Sequence, residues 1–194
     1  MEIKNKKKFK LNKKKYIILL SLLVVFVGIA VCGFWIRYKY YTTLPESHVF
    51  VCDNPSNDSE FDTWMKEKIG LNWVPTYLII KDDVVIGTIR GGIPEKQFTS
   101  ELTYILMKNW QIEELPDIPV SCVDGTRDSL KNVLPNDKNF YIIEISWVQC
   151  PDCIFQDENF TKDIYGKYSN QLIYRYYIHS TQDEVLEKHN FRKE

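Results

Sequence analysis

An α/β domain behind one membrane-spanning helix is the fold class this sequence predicts, and three observations predict it. An apolar, β-branched run, Phe140-Tyr-Ile-Ile-Glu-Ile-Ser146, leads into Cys150-Pro151-Asp152-Cys153, where a helix can open. Two further runs, Trp73–Ile80 and Val84–Arg90, are separated only by Lys81-Asp82-Asp83, the pattern of a β-hairpin. From Tyr16 to Ile36 no residue is charged, and a helix of that length spans a hydrocarbon core of about 30 Å.

A chain of 194 residues, 44% of them apolar, can bury one ordinary domain or two small or incomplete ones. Its formal charge of -1 conceals an asymmetry: residues 1–15 form a basic tail of eight lysines against Glu2 alone, and the remainder is strongly acidic. A basic tail directly before the transmembrane helix, 16–36, should stay cytoplasmic and leave the C-terminal portion extracytoplasmic. Arg37 and Lys39 are the only basic residues shortly after the span, and Trp35, Tyr38, Tyr40 and Tyr41 suit the outer interface. A cleaved signal peptide has the same order of segments. The apolar run is long for one, however, and Val31 in Ala30-Val31-Cys32-Gly33 stands where a small residue is wanted, which also disfavours lipid attachment at Cys32. Outside the tail there is no basic footprint, so no nucleic-acid partner is expected.

Residues 37–47 read as a juxtamembrane spacer. In the segment 48–112, His48–Cys52 predicts a strand, 53–58 a loop, and Ser59 caps a helix from Glu60 to about Ile69. Phe61, Trp64, Met65 and Ile69 share one face of that helix and are core candidates. The hairpin follows, then a bend at Gly91-Gly92 and a helix from about Pro94 to Asn109. Pro75, at the start of a strand, fits a sheet edge or a cis bond. Residues 113–119 read as a linker. The segment 120–194 predicts a short strand at Val120–Val123, a helix near Thr126–Leu134, the strand before the dithiol, and a helix from Cys150 to about Tyr168. A strand at Leu172–Ile178 and a helix from Thr181 to Asn190 end the chain.

The Cys150/Cys153 pair carries the chemistry. With Pro151 in the first turn, the Cys150 sulfur lies near unpaired N–H groups and the positive helix end, a setting that stabilises a thiolate. Cys153, one turn inside, should be shielded and serve as the resolving thiol. Zinc wants four ligands, and no second closely spaced Cys or His pair exists, so no metal and no cofactor is expected. A purely structural bridge suits this exposed helix start less well than exchange does.

Glu144 interrupts an apolar run that should be a buried central strand, where a carboxylate is costly unless paired or protonated. It is therefore the candidate proton acceptor and donor for Cys153, against the alternative of an edge-strand glutamate facing water. Trp147 is either an active-site residue or ordinary core. Asp152 beside a thiolate disfavours it, which inclines the dithiol toward reductase or isomerase work. Val74 before Pro75 can offer backbone to an extended substrate segment. Cys52 and Cys122 are either a structural disulfide or two buried thiols.

A CxxC at a strand-to-helix junction resembles a thioredoxin-like motif. Val74-Pro75-Thr76, the hairpin, the glycine pair and the terminal helix, over about residues 48–109, resemble the second half of a thioredoxin. Residues 115–194 resemble the first half and stop where the proline hairpin should begin. This resemblance implies a thioredoxin-like fold with its halves in reversed, circular-permutation-like order, 115–194 and 70–109 completing one domain. Because His48–Cys52 and the helix after it duplicate the role of Leu172–Asn190, two incomplete thioredoxin-like domains, packed together or exchanged between chains, are the alternative. It also implies that Pro75 is cis and faces the dithiol, that Cys150 attacks and Cys153 resolves, and that Trp147 is a family tryptophan, with Gln149 replacing the second one. Glu144 matches the family's buried acid six residues before the first cysteine, and Arg175 stands where its lysine partner would.

The function expected is a membrane-tethered thiol–disulfide oxidoreductase. Its substrate would be an exported disulfide-containing protein or peptide, and a membrane or extracytoplasmic redox partner would turn it over. A narrower resemblance is to the thioredoxin-like accessory proteins of bacteriocin production. The rival classes are a non-catalytic binding module for a membrane partner and a metal-delivery dithiol.

Overall fold

The computed structural model describes residues 13–42, 44–51, 61–134, 140–168 and 172–189. Cys52, the loop after it, Ser59, Glu60, Asn190 and most of the basic tail lie outside these residues. The chain divides into two units, residues 1–40 and 41–194.

In the first unit, helix α1 covers Lys13–Thr42 and takes in the whole uncharged run. The side chains of residues 20–34 are exposed. Over the described residues no helix is long and apolar enough to cross a membrane.

The second unit is a mixed α/β structure on one eight-stranded sheet. Its strands are β1 (Val49–Val51), β2 (Thr76–Lys81), β3 (Val84–Arg90), β4 (Glu113–Glu114), β5 (Pro119–Cys122), β6 (Arg127–Ser129), β7 (Tyr141–Ser146) and β8 (Ile173–Tyr177). Their order across the sheet is β4-β3-β2-β7-β8-β1-β5-β6. The middle strands β7, β8 and β1 run parallel, while every other neighbouring pair is antiparallel. Strand β7, expected to be central, is buried at every residue between β2 and β8. Residues of both sequence segments thus build one continuous sheet, joined where β2 pairs with β7. The strand at residue 49, expected to duplicate β8, lies beside it instead.

Alternation along the strands divides the core in two. Leu78, Ile80, Ile143, Ile145, Tyr174 and Tyr176 face one side, where Phe61 and Met65 cover them. Tyr77, Ile79, Ile142, Ile173 and Tyr177 face the other. There they meet Phe98, Leu102 and Ile105 of α2 (Glu95–Lys108), Ile164 and Tyr165, and Val185.

Three expectations are corrected. Residues 126–134 are not one helix: after the Gly125 turn, β6 pairs with the edge of β5, and only α3 (Leu130–Val133) is helical. Pairing satisfies strand backbone that a helix would have left open. The helix after Cys150 breaks at Phe160 into α4 (Pro151–Asn159) and α5 (Thr161–Tyr168), where the Thr161 hydroxyl donates back to the Gln156 carbonyl at 3.2 Å. The stretch 113–119 is not a free linker. Glu113–Glu114 pair with β3, and Leu115 and Ile118 enter the core. Helix α6 (Gln182–His189) closes the described fold.

Candidate functional site

Helix α4 starts directly after Cys150. Pro151 occupies its first position, where a missing N–H leaves no bond unmade. Cys150 is the N-cap, with its Sγ accepting the Cys153 N–H at 3.3 Å. The Cys150 S–H in turn donates to the Val74 carbonyl at 3.6 Å. Both cysteines are buried, but Cys150 keeps 7% of its surface exposed and Cys153 only 1%, so the second thiol is the more shielded. Both are free thiols. Burial, with the neighbouring Cys150 adding to it, pushes the Cys153 thiol up to about 12, against the opposing Trp147 N–H and Ser146 hydroxyl.

Strand β2 brings Val74 and Pro75 to the dithiol, and the Val74–Pro75 bond is cis. Gly91 closes on this turn: its N–H donates to the Pro75 carbonyl at 2.9 Å. The Gly92 N–H donates to Oε1 of Gln156, whose amide donates to the Tyr77 hydroxyl at 2.9 Å. Gln156 therefore fastens α4 to the proline turn. Between them lies an open cleft of about 360 Å³, with Val74 and Pro75 on one wall and Asp152 and Phe155 on the other. Arg90, also on its rim, stacks over the half-exposed Trp73 ring at 5.0 Å. Phe155 and Ile154 add exposed apolar surface on the dithiol helix. Trp147 is half-buried against the core, its ring edge-on to His179 at 6.2 Å.

Glu144 is fully buried. Arg175 Nη2 donates to its two oxygens at 2.8 and 2.9 Å, and the Tyr165 hydroxyl donates to Oε2 at 2.6 Å. Burial raises the Glu144 carboxyl above the usual range despite Arg175. The same Nη2 donates to Asp157 Oδ1 at 2.7 Å, and Lys188 pairs with Asp157 Oδ2 at 2.7 Å. Burial alone would raise Asp157, but the two cations outweigh it and hold it at about 2. Arg175 Nη1 donates to the Tyr177 hydroxyl at 3.1 Å, which meets His189 Nε2 at 2.8 Å. Burial, with Arg175 adding to it, keeps His189 neutral down to about 3. Two carboxylates and two cations thus balance under the dithiol helix.

The residues singled out by their sequence pattern fall accordingly into two groups. Cys150, Cys153, Val74, Pro75 and Trp147 gather at one end of the sheet, and Glu144 and Arg175 form a bonded pair within it. Cys122 is a buried free thiol, raised to about 11 mainly by burial, while Cys52 lies outside the described residues. Gln156 and Asp157 were missed, although their spacing of three and four from Cys153 puts them on its face of the helix. Ser146, Tyr77, Tyr165, Tyr177, Lys188 and His189 were missed as well, because they carry no motif. Among the described residues no group of three or more His, Cys, Asp or Glu could hold a metal ion.

Compared with protein-family models, curated proteins and solved structures, the chain matches none.

Proposed function

We propose that this chain is a membrane-tethered, thioredoxin-like thiol–disulfide oxidoreductase. The observation that carries the reading is the placing of Cys150: a helix N-cap sulfur, bonded by the Cys153 N–H and facing the carbonyl of Val74 before cis-Pro75. Positive helix-end charge and an adjacent shielded thiol are what exchange chemistry needs. Cys150 attacks a substrate disulfide, Cys153 then attacks Cys150 and expels the reduced substrate, and the oxidised pair is recycled by a second redox protein. A buried carboxyl raised by desolvation suits Glu144 to hold a proton for this cycle. The cleft beside Val74, open and lined by backbone, apolar side chains and the charged Arg90 and Asp152, suits an extended segment next to a substrate cysteine.

The tether is part of the proposal. Helix α1 contains the uncharged run with the lysine tail before it, which favours a cytoplasmic N-terminus and an extracytoplasmic dithiol. The substrate is then an exported protein or peptide with disulfides.

A redox titration of the full chain in detergent micelles, in glutathione buffers, tests the reading. The expected result is a reversible two-electron transition lost in Cys150→Ser, with Cys150 the first thiol alkylated. A pair that neither opens nor closes across the titration would overturn it.

A further inference from the structure

Ser146 ends strand β7, two residues beyond Glu144 and therefore on the same face of the sheet. It is fully buried, and its hydroxyl has no hydrogen-bond partner among the described residues. An orphaned hydroxyl in a protein interior costs roughly 1–3 kcal/mol and calls for an explanation. The group whose ionisation it favours is the Cys153 thiol, which the Trp147 N–H favours as well. A neutral thiol is a weak acceptor, whereas a thiolate is a strong one. Both donors are thus matched to a charge that exists only while Cys153 is ionised.

Glu144, the proton holder of the cycle, makes its hydrogen bonds elsewhere. Both oxygens of Glu144 are held by Arg175, and Tyr165 adds a bond to one of them. The titratable groups that act on Cys153 or share its surroundings are Cys150 of α4 and Tyr77 of β2, and Tyr77 in turn senses Glu144 of β7, Arg175 of β8 and Asp157 of α4. Tyr77 has its hydroxyl bonded to Gln156 and its own ionisation suppressed by burial. Ser146 is the side-chain hydroxyl left to answer charge on the sulfur.

We propose that the Ser146 hydroxyl is a catalytic residue of the resolving step, donating a hydrogen bond to the Cys153 thiolate as that sulfur closes on the Cys150 mixed disulfide. The proposal rests on the oxidoreductase reading. In the step, Cys153 gives up its proton to solvent by way of Glu144, the proton holder of the cycle, and its sulfur attacks Cys150 Sγ. The Cys150–substrate disulfide breaks, the Cys150–Cys153 disulfide forms, and the departing substrate sulfur leaves as a thiolate that takes a proton from solvent. The dithiol is oxidised by two electrons and the substrate disulfide is reduced by two.

An aromatic disulfide that releases a coloured thiolate separates the two attacks on the full chain in micelles. Attack by Cys150 releases one equivalent, and closure by Cys153 releases a second. Traces from the C150S/C153S variant, subtracted, remove Cys32, Cys52 and Cys122. In Ser146→Ala the first release should be unchanged. The second should slow roughly tenfold at neutral pH, the effect of one hydrogen bond to a charged group, with its pH profile displaced upward. Ser146→Thr, which keeps the hydroxyl, should restore both. Because the substitution to alanine removes an unpartnered buried oxygen, its unfolding midpoint should hold or rise, so a folding defect is separable from a rate effect. An unchanged second release and pH profile in Ser146→Ala, with two releases in the parent chain, would overturn the role of Ser146 alone. A parent chain that gives the first release and never the second would overturn the oxidoreductase reading, and this inference with it.

Discussion

Arg175 on β8 lies in register beside Glu144 on β7 and grips both of its carboxylate oxygens with one terminal nitrogen, at 2.8 and 2.9 Å. The guanidinium is 2% exposed and also serves Asp157 and Tyr177. One cation therefore compensates charge contributed by a strand and by the dithiol helix.

Removing that cation should be expensive. Arg175→Met keeps apolar volume but strands Glu144 in the interior, and breaking a buried pair from one side costs about 3–5 kcal/mol. Glu144, already raised by burial, would then take up a proton more readily. The loss is thus expected to be greatest at alkaline pH and to shrink on acidification, with Glu144→Gln in the same chain recovering part of it. Urea unfolding of parent and variants at two pH values reads this directly. An equal loss at both would show that the guanidinium matters for packing alone.

How much of this was legible depended on whether a residue contradicted its surroundings. Glu144 could be found because a carboxylate inside Tyr-Ile-Ile-Glu-Ile has no apolar reason to be there, and Arg175 because it interrupts another strand run. The dithiol and Val74-Pro75 carry motif and spacing, and the structure brings them within 3.6 Å. Asp157, Lys188 and His189 look in sequence like the polar face of two helices, and only the tertiary bonds, Asp157 to Lys188 and Arg175 and His189 to Tyr177, draw them partly inside. Ser146 was hidden for the opposite reason: a small hydroxyl at a strand end contradicts nothing. The β6 edge and the break at Phe160 are decided by tertiary pairing and by side-chain bonds to the backbone, which local periodicity does not report.

His189 should make stability depend on pH near neutrality. An ordinary histidine binds a proton below 6.5, whereas this one stays neutral down to about 3 through burial, with Arg175 adding to it. Between those values the unfolded chain holds a proton that the folded chain lacks. Its contribution is therefore whole above about pH 6.5 and drains as pH falls, by about 2 kcal/mol at pH 5. Asp157 follows later: held at about 2, below the ordinary 3.8, its share is intact above about pH 4 and is lost as pH falls through 2. Glu144 has the opposite sign, since a raised carboxyl gains on acidification. Chemical denaturation between pH 7 and pH 5 should show a falling midpoint in the parent and a flatter course in His189→Gln. Parallel courses would place the neutral histidine outside the linkage.

Gly91 should be the least replaceable residue of the cleft. A Cβ built there would stand 2.4 Å from Cγ and 2.9 Å from Cβ of Pro75, and 3.0 Å from its carbonyl oxygen. The ring is fixed in place, and the Gly91 N–H is already bonded to that carbonyl, so the turn must move as a whole. Moving it displaces Val74, whose carbonyl faces Cys150, and pulls on the Gln156 bridge from Gly92. Overpacking of this kind costs typically about 1–3 kcal/mol, and the larger effect should fall on exchange. Gly91→Ala is expected to leave the rate of Cys150 alkylation by a small reagent nearly unchanged while slowing attack on a peptide disulfide at least roughly tenfold, because only the peptide needs the wall beside Val74. Gly92→Ala is the comparison. No atom of the described residues lies within 4 Å of the Cβ it would gain, and its cost is the strain of a side chain at a φ of +77°. If the two variants slow peptide exchange equally, the Gly91–Pro75 contact is not what shapes the cleft.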